Sequence, residues 1–238
     1  MPTKPLDIFL VSALNNMIST CAHLSNKAYD RLDGATFISS DDTGAQAFCW
    51  SNCGTQYIVF RGTSELSDLA TDFDIRRISF HGTRVHRGFH TQYRSIAESI
   101  RSNISSNATS IVCTGHSLGG ALATLAAIDL AAPGKTMTCC TFGCPRVGDE
   151  AMAKLFKERV HTSVRLFHEY DPISMVPVTT RFMHVHGGYK IGADTLVRSV
   201  ESDGGFWKRL CSLFRRHDLD YHSMDLYTLH AENLNLHT

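Results

Sequence analysis

The segment Gly115-His116-Ser117-Leu118-Gly119, with Gly120 behind it, constrains this chain more than any other. It joins a short apolar run at residues 110–114 (SIVCT) to an Ala/Leu-rich run at residues 118–132 (LGGALATLAAIDLAA). The first reads as a buried strand, the second as a helix whose small residues allow close packing on a sheet. Strand, sharp turn and helix in this order cramp the backbone at the turn. A side chain at Gly115 or Gly119 would collide with the neighbouring strand or helix. Ser117 would then stand at a strand's carboxyl end beside a helix N-terminus, where backbone N–H groups and the helix dipole favour negative charge. The plain reading is a Ser/Gly turn that caps a helix; the flanking elements favour a nucleophile.

The rest of the pattern fits an α/β class. Residues 37–40, 46–51 and 56–60 read as strands, the last two joined by a turn around Asn52-Cys53-Gly54. Residues 89–103 are helical by spacing, as are 149–159 and 224–234, while 138–142 and 164–168 read as strands. Residues 10–29 form an outer N-terminal helix in this reading. Strands alternating with helices predict a central, mostly parallel sheet flanked by helices, with antiparallel hairpins at its first edge. A chain of 238 residues with 43% hydrophobic content suits a single domain over residues 1–238.

Charge and cysteine content narrow the partners. Lys+Arg and Asp+Glu both number 23, so no nucleic-acid partner is indicated. The cysteines at 113, 139 and 140 lie in apolar runs and read as buried free thiols. Cys49 and Cys53 lack the second pair of a zinc site, and the 13 histidines do not fall at ligand spacing with the cysteines. No metal and no organic cofactor is therefore expected. Two sequons, at Asn103 and Asn107, matter only in a secretory pathway. Residues 8–14 are too short and polar for a leader, and no run reaches transmembrane length, so a cytoplasmic protein is expected.

A serine hydroxyl needs a general base, and the base needs an acid that fixes its tautomer and steadies its positive charge. In a fold of this type the order is Ser, Asp, His. Asp171 opens a loop after the strand at 164–168, at the sheet edge where catalytic groups gather, although Asp before Pro172 also suits a plain turn. His222 lies in a polar loop before the last helix and is the candidate base. His168, in a strand, and His184 and His186, in an apparent hairpin, read as structural, and His116 as pointing elsewhere at a tight turn. For an oxyanion the donors would be the Leu118 N–H and Thr63, which follows the strand at 56–60 in Arg61-Gly62-Thr63; a plain surface turn is the alternative there.

Taken together, Phe60-Arg61-Gly62-Thr63, Asp72, Val85-His86-Arg87-Gly88-Phe89, the Gly115–Gly120 segment, Thr141-Phe142-Gly143-Cys144-Pro145-Arg146-Val147-Gly148-Asp149, Asp171-Pro172 with Val176-Pro177, and His222 with Tyr227 resemble the class 3 lipases. These are α/β-hydrolases typified by filamentous-fungal triacylglycerol lipases, and the likeness runs in order from Ala28 to Leu229. It implies Ser117, Asp171 and His222 as a triad, with Thr63 and Leu118 as oxyanion donors. It also implies cleavage of carboxylic esters of lipids through an acyl-serine, with phospholipase A1 or small-ester esterase action as the enzymatic alternative. A catalytically silent relative that only binds or signals is the non-enzymatic one.

Two segments bear on lipid contact. Residues 65–77 occupy the place of the family's short helical lid, and an ordinary surface helix would look the same; Asp72 reads as a structural anchor. On a helix, Phe206, Trp207, Leu210, Leu213 and Phe214 would share a face with Lys208, Arg209, Arg215 and Arg216 around it. That pattern suits peripheral contact with an anionic membrane or lipid-droplet surface, and equally a face packed on the core.

Overall fold

The alternating pattern becomes one eight-stranded sheet in the computed structural model, which describes residues 8–63, 75–192, 197–200 and 220–234. In chain order the elements are α1 (Ile8–Lys27), β1 (Thr36–Ser39), β2 (Gln46–Asn52), β3 (Thr55–Phe60), β4 (Arg77–Phe80), β5 (Thr83–His86), α2 (Arg87–Ser102), β6 (Ser110–His116) and α3 (Leu118–Asp129). There follow β7 (Thr136–Phe142), α4 (Glu150–Arg159), β8 (Thr162–His168), a 3-10 turn (Ile173–Met175), β9 (Gly188–Ile191), β10 (Val197–Val200) and α5 (Met224–Glu232). The sheet order is β1-β2-β3-β6-β7-β8-β9-β10. Strands β3, β6, β7, β8 and β9 run parallel, while β1, β2 and β10 pair antiparallel at the two edges.

Alternation along the central strands separates two cores. Ile111 and Cys113 of β6, with Met137 and Cys139 of β7, join the cluster that contains Phe89, Tyr93 and Ile96 of α2 and most of α3. Val112, Cys140 and Phe142 point the other way and join Ile18, Cys21 and Ala22 of α1 with Tyr227 and Ala231 of α5. Helix α2 buries Phe89, Tyr93, Ile96, Ala97 and Ile100, one face at helical spacing. Helix α3 is buried from Leu118 to Ile128, which explains why its sequence carries no polar face.

The register fixes where the loops emerge. Phe60 lies opposite Gly115, His116 opposite Phe142, and Phe142 opposite Leu166. The carboxyl ends of β3, β6, β7 and β8 therefore share one sheet edge, and the turns after them carry Thr63, Ser117, Gly143 and Asp171.

Several expectations need correction. Helix α3 stops at Asp129 rather than 132, because Pro133 disfavours a helical conformation at the residue before it. His184 and His186 lie in no hairpin: Met183 makes an isolated bridge to Gly148, and the chain runs irregularly to β9. The β4–β5 hairpin and strands β9 and β10 were not anticipated. Residues 64–74 and 201–219 lie outside the described residues, and with them most of the lid segment, Asp72 and the whole aromatic–basic segment.

Candidate active site

Ser117 ends the β6 strand with φ 56° and ψ −127°, in the left-handed half of conformational space. For a residue other than glycine this costs about 1–3 kcal/mol, and the surroundings must enforce it. They do. A β-carbon at Gly115 would lie 2.5 Å from the backbone of Gly119 and 2.9 Å from the Phe60 carbonyl oxygen. One at Gly119 would run into that same oxygen and lie 2.9 Å from the Arg61 carbonyl carbon. The Ser117 N–H donates to the Phe142 carbonyl at 2.9 Å, which ties the turn to β7. The hydroxyl makes no capping bond to α3 and is buried without a hydrogen-bond partner among the described residues.

Asp171 reconciles its two sequence readings by using its two oxygens differently. Oδ1 accepts the N–H groups of Ile173 at 2.9 Å and Ser174 at 3.4 Å, which holds the turn. Oδ2 accepts His222 Nδ1 at 2.8 Å and the Tyr227 hydroxyl at 2.6 Å. The carboxylate is thus buried but supplied with four donors, as a buried anion requires. Tyr227 lies one turn into α5, and its hydroxyl also accepts the His168 N–H at 2.9 Å. Burial, reinforced by the Asp171 charge, pushes this phenol well above its usual range, so it stays a donor.

His222 is fully buried just before α5. With Nδ1–H committed to Asp171, the lone pair is on Nε2, which has no hydrogen-bond partner among the described residues. Gly143 makes room for this pair: a β-carbon there would sit 2.7 Å from Asp171 Oδ2 and 2.8 Å from His222 Cε1, and its φ is +55°. The structure brings His222 and Asp171 together directly, and leaves Ser117 Oγ and His222 Nε2 as two buried polar atoms without a partner among the described residues.

The turn after β3 adjoins the serine turn through the pairing of Phe60 with Gly115. Thr63 and Leu118 line one cleft of about 350 Å³ together with Thr43, Gln46, Arg61 and Gln92. Two candidate oxyanion donors therefore face a common space. Three of the other histidines pack away from the serine turn. His168 packs among Tyr170, Tyr221 and His230, His184 Nε2 donates to the Ser174 carbonyl at 2.6 Å, and His186 packs on Phe156. Among the described residues no group of three or more His, Cys, Asp or Glu is placed to hold a metal ion.

One expectation at the site fails. His116 does not point away: its ring lies 4.4 Å from that of His222, tilted by 33°. Its Nδ1 meets the Tyr29 hydroxyl at 2.7 Å. Tyr29 entered the sequence reading only as the end of the N-terminal helix, and Gly143 and Tyr227 only as part of a resemblance. Adjacency to Ser117 was the available signal for His116.

Comparison with known proteins follows the same lines. Residues 57–181 match the family model for lipase (class 3). The chain is 31% identical over 145 residues to the secreted mono- and diacylglycerol lipase 1 of Fusarium solani, covering 57% of this chain and 44% of that protein. It is 31% identical over 160 residues to a lipase of Rhizomucor miehei, covering 62% and 44%. The aligned part is thus less than half the length of these relatives. The Rhizomucor miehei lipase propeptide complex superposes with a TM-score of 0.73 at 24% identity, over 87% of this chain and 79% of that one. This likeness places the mostly parallel sheet among α/β-hydrolase folds.

The cytoplasmic location expected from the sequence is corrected by these matches, since the Fusarium solani relative is a secreted protein. That expectation rested on residues 8–14, a stretch that carries no information on export in a chain aligned to under half of its relatives. Among the described residues no helix is long and apolar enough to cross a membrane.

Proposed function

The chain belongs to the class 3 lipase family, and on that footing we propose that it is a serine hydrolase acting on carboxylic esters of lipids through an acyl-serine intermediate. The observation that carries this reading is the buried His222–Asp171 pair, bonded at 2.8 Å, on the same sheet edge as an unpartnered Ser117 hydroxyl. Ser117 Oγ attacks the ester carbonyl carbon while His222 Nε2 takes its proton. Asp171 steadies the resulting imidazolium, and the Tyr227 hydroxyl holds the carboxylate in place. The Leu118 N–H and Thr63 receive the oxyanion, each such donor being worth about 3 kcal/mol in the transition state. Collapse expels the alcohol, which takes the proton from His222. Water then enters and its oxygen attacks the acyl carbon while His222 takes its proton; the acyl–oxygen bond to Ser117 breaks, His222 returns the proton to Ser117 Oγ, and a carboxylic acid leaves.

Acylglycerols are the proposed substrates, in keeping with the names of the fungal relatives. Contact with a lipid surface is assigned to residues 206–216, whose sequence supplies three aromatic side chains, Phe206, Trp207 and Phe214, and four basic ones. Replacing Trp207 and Phe214 by Ser will weaken vesicle binding more than soluble-ester turnover; an equal loss of both would assign the segment to the core instead.

Labelling with a fluorophosphonate probe tests the chemistry. Wild-type protein will label and Ser117→Ala will not. A folded wild type that never labels would leave the fold as a silent binding scaffold. Esters graded in chain length, beside phospholipid vesicles, separate an acylglycerol lipase from a phospholipase A1 or a small-ester esterase.

A further inference from the structure

The His222–Asp171 hydrogen bond fixes one atom of the imidazole and leaves the ring able to rock about that contact. Among the described residues Nε2 has no partner of its own to stop it. Something else must hold the ring plane. His116 covers one face of His222 at 4.4 Å between centroids, 33° from parallel. It is itself boxed in, with Tyr227 at 5.7 Å and Tyr29 edge-on at 5.9 Å. The Tyr29 hydroxyl reaches His116 Nδ1 at 2.7 Å through a gap that exists because residue 62 is glycine; a β-carbon there would collide with that hydroxyl.

We propose that His116, locked by the Tyr29 hydroxyl, is a positioning residue that holds the plane of His222 so that Nε2 meets the Ser117 hydroxyl. This rests on the hydrolase reading given above. Burial keeps the Tyr29 phenol protonated, so Tyr29 donates and His116 Nδ1 accepts. The proton of the neutral His116 ring is then on Nε2. Burial, and after it the neighbouring His222, hold His116 well below the ordinary histidine range, against a weaker opposing pull from the His222 backbone. The plate is therefore uncharged when His222 takes up its proton, and it does not repel the imidazolium. Neither His116 nor Tyr29 touches the reacting atoms; both act through His222.

A double-mutant cycle on the full chain tests this, with kcat and KM for a soluble ester, the rate of fluorophosphonate labelling, and a denaturation midpoint for each variant. His116→Ala should lower kcat on the order of 10²-fold with KM unchanged, the scale of a misplaced catalytic group. Tyr29→Phe, which deletes one hydroxyl, should lower kcat by about three- to tenfold, again without a change in KM. The double variant should be no slower than His116→Ala, because Tyr29 acts only through that ring. Wild-type labelling rates in both single variants would overturn the positioning role while leaving the hydrolase intact. Losses that multiply in the double variant would overturn the Tyr29–His116 linkage. Should His116→Ala fail to fold, Tyr29→Phe decides alone: unchanged kcat refutes the proposal. A wild type that neither labels nor hydrolyses would remove the hydrolase reading, and this proposal with it.

Discussion

Tyr227 donates its hydroxyl proton to the same Asp171 oxygen that accepts His222 Nδ1, at 2.6 Å beside 2.8 Å. The carboxylate is held from the helix that follows the histidine, so the proposed base and the hydroxyl that fixes the proposed acid are carried by one short stretch of chain, and that stretch is anchored on the strand β8 backbone through His168.

Tyr227→Phe removes a donor from Asp171 and an acceptor from the buried His168 N–H. The orphaned N–H alone should destabilise the fold by about 1–3 kcal/mol. Turnover should fall about tenfold, equivalent to about 1.4 kcal/mol in the barrier. Urea denaturation and soluble-ester kinetics measure the two effects separately.

Gly143→Ala would place a methyl group 2.7 Å from Asp171 Oδ2 and 2.8 Å from His222 Cε1, on a backbone with φ +55°. The left-handed conformation should cost about 1–2 kcal/mol in stability. Activity should drop further than that of a Gly134→Ala control, where φ is also positive and the β-carbon meets nothing within 4 Å. Equal activities in the two variants would show that the space behind the pair is not needed.

Ser117→Gly and Ser117→Ala should both abolish turnover, but only the glycine relieves the strained φ of 56°. Strain relief of about 1–3 kcal/mol exceeds the added chain entropy of glycine. Thermal unfolding should therefore find Ser117→Gly the more stable by about 1 kcal/mol.

His168 supplies a pH prediction. Burial, then the nearby His230, pull its imidazole from 6.5 down to about 4, against weaker opposing pulls from Asp171 and Glu169. Between those two values the unfolded chain binds the proton and the native state does not, so this residue's contribution to stability is present above pH 6.5 and is lost as the pH falls towards 4. In His168→Gln the loss of stability over that window should be shallower than in wild type, as read from denaturation midpoints.

What could be read from the sequence divides along physical lines. The serine turn was legible because a cramped backbone between a strand and a helix admits only glycine at its flanks, and glycine is visible in a sequence. Asp171 and His222 were legible from chain order. The role of His116 was not, because the direction of a side chain leaving a tight turn depends on what packs around it, here Tyr29 and Tyr227. The β4–β5 hairpin was missed because its two-residue turn is His81-Gly82, with φ of 48° and 79°. The usual signal for such a turn is Asn-Gly or Asp-Gly. Strands β9 and β10 are four residues each, and β9 takes its register from β8 and β10 from β9, so nothing local announced them.

The Phe60 carbonyl oxygen blocks a side chain at both Gly115 and Gly119, and the chain continues from Phe60 within three residues to Thr63. The proposed attacking group and charge-receiving group are thus gauged from a single peptide oxygen at the carboxyl edge of the sheet. Replacements among the cleft's outer side chains should therefore retune which esters are accepted long before they disturb the spacing at which bonds are made and broken. Selectivity in this fold is free to drift while its chemistry stays put.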